Sequence, residues 1–536
     1  MAISDTDARP DEAPWWRSAV IYQVYVRSFA DSNGDGVGDL PGIIAHLPYI
    51  ADLGVDAIWL NPFYPSPQAD AGYDVSDYRD VEPIFGTLAD AEKLLAEAHE
   101  RGLRVIVDLV PNHTSSEHAW FKAALASAPG SPERARYIFR PGRGADGSEP
   151  PNNWQSQFGG PAWTRVPDGE WYLHLFAPEQ PDLDWTDPEV VVEFKSILRF
   201  WLDRGVDGFR IDVAHGLAKD PALPDVPADY LQTTLRRRTL EGHPYWDQDA
   251  VHDVYRGWRE VIDTYPGQRA FVAEAWVPEP SRFARYLRAD ELQTAFNFDL
   301  LLAPWDAKAM RDVIDATLAA LRGVGAPATW VLSNHDVVRH VTRYGGGELG
   351  LARARAAILL TLSLPGGAYI YQGEELGLEE VEDIPADQRQ DPKFFRTQGE
   401  EPGRDGCRVP IPWSGTKPPF GFGTGTPWLP QPQSWAAKTV EAERRDPASM
   451  LSLYRRALEA RRSTPELGDG PMAWIDTVDG LLAFRRGDDF AVAINFSEQP
   501  VALPDELAGA EVVLASAPVA GDGTLPGSTA AWLRLA

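Results

Sequence analysis

Three acidic residues in this chain stand where a run of apolar residues ends. Gly208 to Val213 reads GFRIDV, and Asp212 closes a short apolar stretch that follows a helix-like segment and a Gly-containing turn. Arg269 to Trp276, RAFVAEAW, ends in the same way at Glu274, and Trp330 to Asp336, WVLSNHD, ends at His335 and Asp336. Side chains alternate along a strand with period two, so Arg210 projects on the same face as Asp212, where a guanidinium can keep a carboxylate ionised and aimed. That arrangement suits a nucleophile. Alone, the Arg210 and Asp212 pair reads equally as a buried ion pair closing a strand. Three strands ending in acids move the reading to catalysis. Retaining glycoside hydrolysis uses a carboxylate nucleophile about 5 to 5.5 Å from a carboxylic acid that first protonates the leaving oxygen and then serves as base. A third acid can stabilise positive charge on the sugar ring.

Four stretches occur in the order DLVPNH (Asp108 to His113), GFRIDVA (Gly208 to Ala214), AEAW (Ala273 to Trp276) and SNHD (Ser333 to Asp336). Together they resemble the conserved regions of the α-amylase superfamily, glycoside hydrolase family 13, over a match running from about Trp15 to the C-terminus. Each motif alone is weak evidence, and their joint order carries the specificity. The resemblance implies Asp212 as nucleophile, Glu274 as acid and base, and Asp336 as transition-state stabiliser, with His113, Arg210 and His335 bonding the glucose. It also implies that Asp70 and Tyr73, from the D-x-G-Y stretch, line the sugar pocket, Asp70 on the distal hydroxyls and Tyr73 against the ring. Phe158 occupies the place of a pocket-wall aromatic. The segment QPDLDW (Gln180 to Trp185) and the motif GRDGCRVPIPW (Gly403 to Trp413) resemble the oligo-1,6-glucosidase and α-glucosidase branch, in which the first Arg of that motif, here Arg404, pairs with Asp70 and blocks the far end of the pocket.

The elements that must position these residues follow a βα rhythm. Eight strand signals alternate with helical patterns, which indicates an α/β protein built on a (β/α)8 TIM barrel, whose site lies at the carboxyl ends of the strands. The rhythm breaks after the third strand, where Pro, Gly, Asn and Trp dominate, and such a stretch inside a compact domain is a functional insert or subdomain. The chain ends in alternating β-like segments that read as a C-terminal antiparallel β domain. The expected division is residues 1-113 for the first part of the barrel, 114-182 for an inserted domain B, 183-466 for the rest of the barrel and 467-536 for a domain C. Strand ends are expected at Asp212, Glu274, Phe298 and Ser333, with long loops at 215–248 and 374–445 and a late turn at 521–523.

The loop Asp31 to Asp39, DSNGDGVGD, spaces oxygen-bearing side chains with glycines between them, a pattern that can wrap a hard cation. Asp31, Asn33, Asp35 and Asp39, with the carbonyl of Val37, are the expected ligands of one structural divalent cation, Ca2+ in preference to Mg2+. A similar loop occurs in the oligo-1,6-glucosidase branch. No organic cofactor is expected.

Composition bounds the partners. The chain has 536 residues, 44% of them hydrophobic, so it can bury an extensive core, and its net charge of -29 argues against nucleic acid or an anionic membrane as a partner. A small neutral oligosaccharide fits. The 19 Trp and 17 Tyr lend weak support, since most would serve the core. The single cysteine, Cys407, reads as a bystander, the polar N-terminus shows no apolar signal segment, and no run approaches a membrane span, so the expected location is cytoplasmic. The oligomeric state is not legible.

The activity expected is that of a retaining exo-acting α-glucosidase. Linkage rests on opposed signals. Among relatives, Val at position 213 accompanies α-1,6 and Thr α-1,4 activity, whereas the loops VAHGLAKD and GRDGCRVPIPW resemble actinobacterial maltose-type α-glucosidases. The reading adopted is α-1,4 cleavage of maltose and short malto-oligosaccharides. The alternatives are an oligo-1,6-glucosidase acting on isomaltose and a transglycosylase or isomerase such as a trehalose synthase. A non-catalytic relative would have lost the acids.

Overall fold

The computed structural model describes residues 13–227, 242–277, 279–519 and 523–535. Part of the long loop expected at 215–248, and most of the turn expected at 521–523, lie outside the described residues.

Eight short strands, β1 (Val20–Val24), β2 (Ala57–Leu60), β3 (Arg104–Leu109), β4 (Gly208–Ile211), β5 (Ala270–Ala273), β6 (Thr294–Ala295), β7 (Thr329–Val331) and β8 (Gly367–Tyr371), form one parallel sheet in the order β7-β8-β1-β2-β3-β4-β5-β6. Each consists almost entirely of buried residues, as a sheet covered on both faces requires. The seam between β6 and β7 is bridged by the Asn297 N–H, which donates to Thr329 O at 2.9 Å. The result is the TIM barrel with a C-terminal antiparallel sheet domain.

Helices return the chain between strands: α1 (Leu40–Leu53), α2 (Leu88–Glu100), α3 (Pro188–Leu202), α4 (Val251–Ile262), α5 (Ala307–Arg322) and α6 (Gly347–Ser363). Their starts are written locally. Asp39 caps α1 by accepting from Gly42 N, Thr87 and Asp90 form a reciprocal capping box on α2, and Asp187 precedes Pro188 at the first position of α3. One expected boundary moves. Phe298 does not end β6 but begins a short helix, Phe298–Leu302, because Asn297 caps it through Leu300 N at 2.7 Å.

Between β3 and β4 the chain makes a three-stranded antiparallel sheet in the order Phe139–Pro141, Glu170–Leu173, Trp163–Arg165. Its own apolar cluster includes Trp154, Phe158, Trp163 and Phe176, and it extends to Val213 and Trp246 of the β4 loop. This contact brings Phe158 over the barrel mouth. After a last helix, Met450–Ser463, a five-stranded antiparallel sheet closes the chain, and Trp532 from it donates to Leu359 O of α6 at 3.0 Å.

Candidate active site

A cleft of about 760 Å3, counting its open mouth, lies where β3, β4, β5 and β7 end, and Asp70, Tyr73, His113, Phe158, Asp212, Glu274, Asp336 and Arg404 line it. Arg210 and His335 sit just behind these residues, 2% and 1% exposed. Every substrate-site residue expected from sequence thus converges on one place, although two of them act from the second layer.

Arg210 organises the floor. Its Nη1 lies 2.6 Å from Asp212 Oδ1 and 2.9 Å from Asp108 Oδ1, and its Nη2 lies 2.5 Å from Glu274 Oε2. Asp108 and Arg210 are register partners on β3 and β4, so the sheet itself aligns them. Asp212 and Glu274 follow directly on β4 and β5, and Glu274 also accepts from Val213 N at 3.2 Å and Trp276 Nε1 at 3.1 Å. Three carboxylates therefore share one guanidinium. If all were ionised the cluster would carry two uncompensated negative charges in a buried place, which disfavours full ionisation. Burial raises Asp212 well above the usual carboxylate range, with the charges of Glu274 and Asp108 adding to it and Arg210 opposing. Burial likewise raises Asp108 to about 7 against the pull of Arg210. Full ionisation of all three is thus disfavoured, which leaves room for an acid and a base in a single site, and Arg210 is the group that favours the ionised form of Asp212.

Asp336 has the opposite environment. Its side chain is 28% exposed to the cleft and meets Arg408 Nη2 at 2.7 Å and Arg404 Nη1 at 3.3 Å. Burial would raise its pKa, but His335, Arg404 and Arg408 more than offset that and hold it below the usual range. Burial depresses the His335 pKa as well, and where that ring is neutral the two guanidiniums remain the charges that favour ionised Asp336. Arg404 precedes and Arg408 ends a single helical turn, Asp405–Arg408, and the four-residue spacing puts both on one side.

Arg404 also lines the cleft; its Nη2 lies 2.6 Å from Asp70 Oδ1 and its Nε lies 2.6 Å from Asp391 Oδ2. The same guanidinium stands 5.0 Å from the Phe158 ring centroid. Tyr73 is held by its hydroxyl, which meets His335 Nε2 at 2.7 Å, Asn61 Nδ2 at 2.7 Å and Asp108 Oδ2 at 3.1 Å, and its ring stacks on His335 at 5.4 Å. His113 is 1% exposed, with Nε2 3.0 Å from Gln180 Nε2. On the opposite rim Trp276 stacks on Phe298 with centroids 4.0 Å apart.

Sequence reasoning did not single out Asp108, Asp391, Arg408, Gln180 or Trp276. Asp108, Gln180, Trp276 and Arg408 lie inside the motifs already recognised, Arg408 repeating Arg404 four residues on; nothing local marks Asp391.

The Asp31 to Asp39 loop lies apart, since none of its residues lines the cleft. Asp31 accepts from the N–H groups of Asn33, Gly34 and Gly36, and Asp39 accepts from Ser32 and caps α1. Among the described residues, no group of three His, Cys, Asp or Glu side chains converges as a metal cage. Equally, among the described residues, no Lys, Arg or His pairs with Asp31, Asp35 or Asp39, and Asp31 and Asp39 are 8% and 2% exposed. The donor set is oxygen-rich and carries no paired cation among the described residues, which is the chemistry a hard cation would take.

Residues 23–470 match the family model of the alpha amylase catalytic domain, and residues 468–532 match a domain of unknown function, DUF3459. The chain is 42% identical over 509 residues to a probable alpha-glucosidase of Rhizobium meliloti, covering 91% of this chain and 90% of the relative. It is 36% identical to an oligo-1,6-glucosidase of Parageobacillus thermoglucosidasius, covering 92% and 93%. Among solved structures, an alpha-glucosyl transfer enzyme superposes with a TM-score of 0.89 at 40% identity, covering 98% of this chain and all of that one. No helix among the described residues is long and apolar enough to cross a membrane. A barrel with acids at its strand ends, matched by the catalytic-domain model across most of its length, makes this chain a glycoside hydrolase of the α-amylase family, in its α-glucosidase group.

Proposed function

We propose that the chain is a retaining, exo-acting α-glucosidase that releases α-glucose from the non-reducing end of maltose and short malto-oligosaccharides. The observation that supports this reading is the Arg404 to Asp70 pair at 2.6 Å, both residues lining the cleft, which we read as a wall beyond the terminal sugar. A walled cleft cannot thread a polymer. In the first half-reaction Asp212 attacks the anomeric carbon while Glu274 gives its proton to the glycosidic oxygen, so the leaving sugar departs neutral and a glycosyl ester forms on Asp212. In the second, Glu274 takes a proton from water, whose oxygen displaces Asp212 from the same carbon and restores the original configuration. Asp336, kept ionised by Arg404 and Arg408, faces the positive charge that develops on the ring. Arg210 lowers the cost of two carboxylates working side by side. His113, Arg210, His335, Asp70, Tyr73, Phe158 and Arg404 hold or wall in the glucose, directly or through their neighbours.

The α-1,4 preference is supported by the loop resemblance and by the α-glucosidases among the relatives; oligo-1,6-glucosidase and trehalulose synthase relatives define the competing specificities. A second reading, transfer of glucose to an acceptor hydroxyl, is favoured by the 40% identity to an alpha-glucosyl transfer enzyme and by the Trp276 to Phe298 stack beside Glu274, a flat apolar platform for an acceptor. Product analysis with maltose, isomaltose, sucrose and trehalose separates these readings. Release of the non-reducing unit of maltose as α-glucose supports hydrolysis with retention; its release as β-glucose, or isomerised disaccharide without free glucose, refutes it. Asp31, Asn33, Asp35, Val37 and Asp39 are proposed to hold one structural divalent cation, Ca2+ before Mg2+, with no part in these steps.

A further inference from the structure

Lys219 belongs to the β4 loop and its side chain is 3% exposed. Its Nζ lies 2.7 Å from Asp182 Oδ2 and donates to Asn112 Oδ1 at 2.8 Å. Asp182 comes from the end of the inserted segment and Asn112 from the end of β3, so one ammonium ties three separate parts of the chain. The other half of the Asn112 amide is used up as well. Its Nδ2 donates to Asp182 Oδ2 and to His113 Nδ1, both at 3.1 Å.

The amide orientation fixes a proton. With Asn112 Oδ1 bound to an ammonium, Asn112 must present its N–H to His113 Nδ1, which is then an acceptor, and the ring proton of a neutral imidazole goes to Nε2. Burial pushes the His113 pKa down to about 4, so the ring is neutral at ordinary pH. A competing contact exists on the other side, because Gln180 Nε2 lies 3.0 Å from His113 Nε2. Gln180 is oriented by Ala177 N, which donates to its Oε1 at 3.0 Å, and its amide nitrogen also reaches Asp70 Oδ2 at 3.2 Å. Hydrogen bonds to ionised groups are roughly twice as strong as neutral ones. Flipping Asn112 would sacrifice two of these, to Lys219 and to Asp182, for one neutral contact with Gln180. The Nε2–H form wins; the Gln180 amide then has no acceptor on this ring and donates to Asp70 Oδ2 instead, while the His113 N–H donates to Tyr73 O at 3.2 Å, on the side where Tyr73 and Asp70 line the cleft.

We propose that Lys219 is a positioning residue for sugar binding: through Asn112 it sets the His113 proton on Nε2, from where it can turn from Tyr73 O to a substrate hydroxyl when sugar enters the cleft. The proposal rests on the reading that His113 bonds the glucose. Its role is therefore in ground-state recognition, away from the bond being broken.

The test is long-range proton–nitrogen correlation on the full chain labelled at histidine nitrogens, with His113 assigned by its absence in His113→Asn. The wild-type ring is expected as the Nε2–H tautomer; the Nδ1–H tautomer in the wild type overturns the proposal without any variant. In Lys219→Met the ring is expected to become a mixture of tautomers, with KM for maltose rising about tenfold and kcat changing less. An unaltered Nε2–H ring in folded Lys219→Met overturns it too. Asn112→Asp keeps an oxygen for Lys219 and places an acceptor against Nδ1, so it is expected to convert the ring to Nδ1–H with the same rise in KM. Partial recovery of KM in Lys219→Ala with added ethylammonium supports an ammonium-specific role over simple packing. Should His113→Ala leave KM unchanged while the wild-type ring is Nε2–H, the sugar-contact reading fails and the tautomer assignment stands.

Discussion

Arg404 and Asp70 are 334 residues apart in the chain and 2.6 Å apart in the fold, and both line the cleft. Arg404 is shared with Asp391 and Asp336, so removing it would leave several buried carboxylates without their cation and confuse binding with folding. Asp70→Ala is the cleaner change. It should lower kcat/KM on maltose by about tenfold or more, the loss of a hydrogen bond to a charged group being worth about 1.5 to 3 kcal/mol. Activity on soluble starch relative to maltose should rise at the same time. If both substrates lose activity in proportion, the pair does not set chain-end specificity. For the wild type, loss of iodine staining before glucose appears would mean an open cleft.

Asp212 and Glu274 predict different failures. Asp212→Asn should lower kcat on the order of 10^4-fold or more with the fold intact, since no other strand-end carboxylate is placed to form the ester. Glu274→Gln should retain the first step on a glucoside whose leaving group needs no proton, then stall. Intact mass measurement should find the chain heavier by one anhydroglucose unit. Near-native turnover in Asp212→Asn, or steady turnover without accumulation in Glu274→Gln, would reassign the roles.

Asp108 offers a test of sign. Its charge is one of the causes that raise Asp212, and the two carboxylates share Nη1 of Arg210. Replacing Asp108 by Asn removes that repulsion and frees more of the guanidinium for Asp212, so Asp212 ionises more easily. The acid limb of the kcat/KM profile should therefore move to lower pH. A shift to higher pH would mean that the limb reports another group.

Much of the barrel was legible because its strands are short apolar runs that end at acids or turn residues, and its helices announce themselves through caps such as Asp39, Thr87 and Asp187. The strand-end acids were legible for the same reason. What could not be read locally depends on register and on rotation about a few bonds. That Asp108 faces Arg210 is a property of β3 beside β4. That Phe298 starts a helix depends on the Asn297 side chain turning back to Leu300 N. The amide orientation of Asn112 depends on Lys219, more than a hundred residues away. The grip of Asp391 on Arg404 is likewise tertiary, and no motif encloses it.

The Asp31 to Asp39 loop should respond to chelation. Binding a cation only in the folded state adds stability by mass action, about 2.7 kcal/mol when the free ion is a hundredfold above its Kd. Excess chelator is thus expected to lower the Tm while kcat at a temperature well below it changes little, because none of the five residues lines the cleft. Metal analysis of the purified chain should return close to one divalent ion per molecule. An unchanged Tm together with no bound metal would leave the loop as a hydrogen-bonded turn built on Asp31 and Asp39.

Val213 sets the hardest comparison, that between α-1,4 and α-1,6 linkages. It follows Asp212 directly, lines the cleft and is 3% exposed. Its backbone adopts φ of 46°, a left-handed conformation that β-branched residues rarely accept, and the turn delivers its N–H to Glu274 Oε2 at 3.2 Å. The side chain packs in the cluster that includes Trp154, Phe158 and Trp246, so its position is fixed by the inserted segment and the β4 loop together. Val213→Thr keeps the branched shape and exchanges a methyl for a hydroxyl beside the leaving sugar. Such an exchange is typically worth about 1 to 3 kcal/mol in discrimination. The variant should shift the ratio of kcat/KM for maltose over isomaltose toward maltose by about tenfold, while the wild type already prefers maltose through its longer loops. A wild type that prefers isomaltose, reversed by Val213→Thr, would make position 213 the dominant determinant and the enzyme an oligo-1,6-glucosidase. An unchanged ratio in the variant would assign linkage choice to the β4 and β8 loops alone.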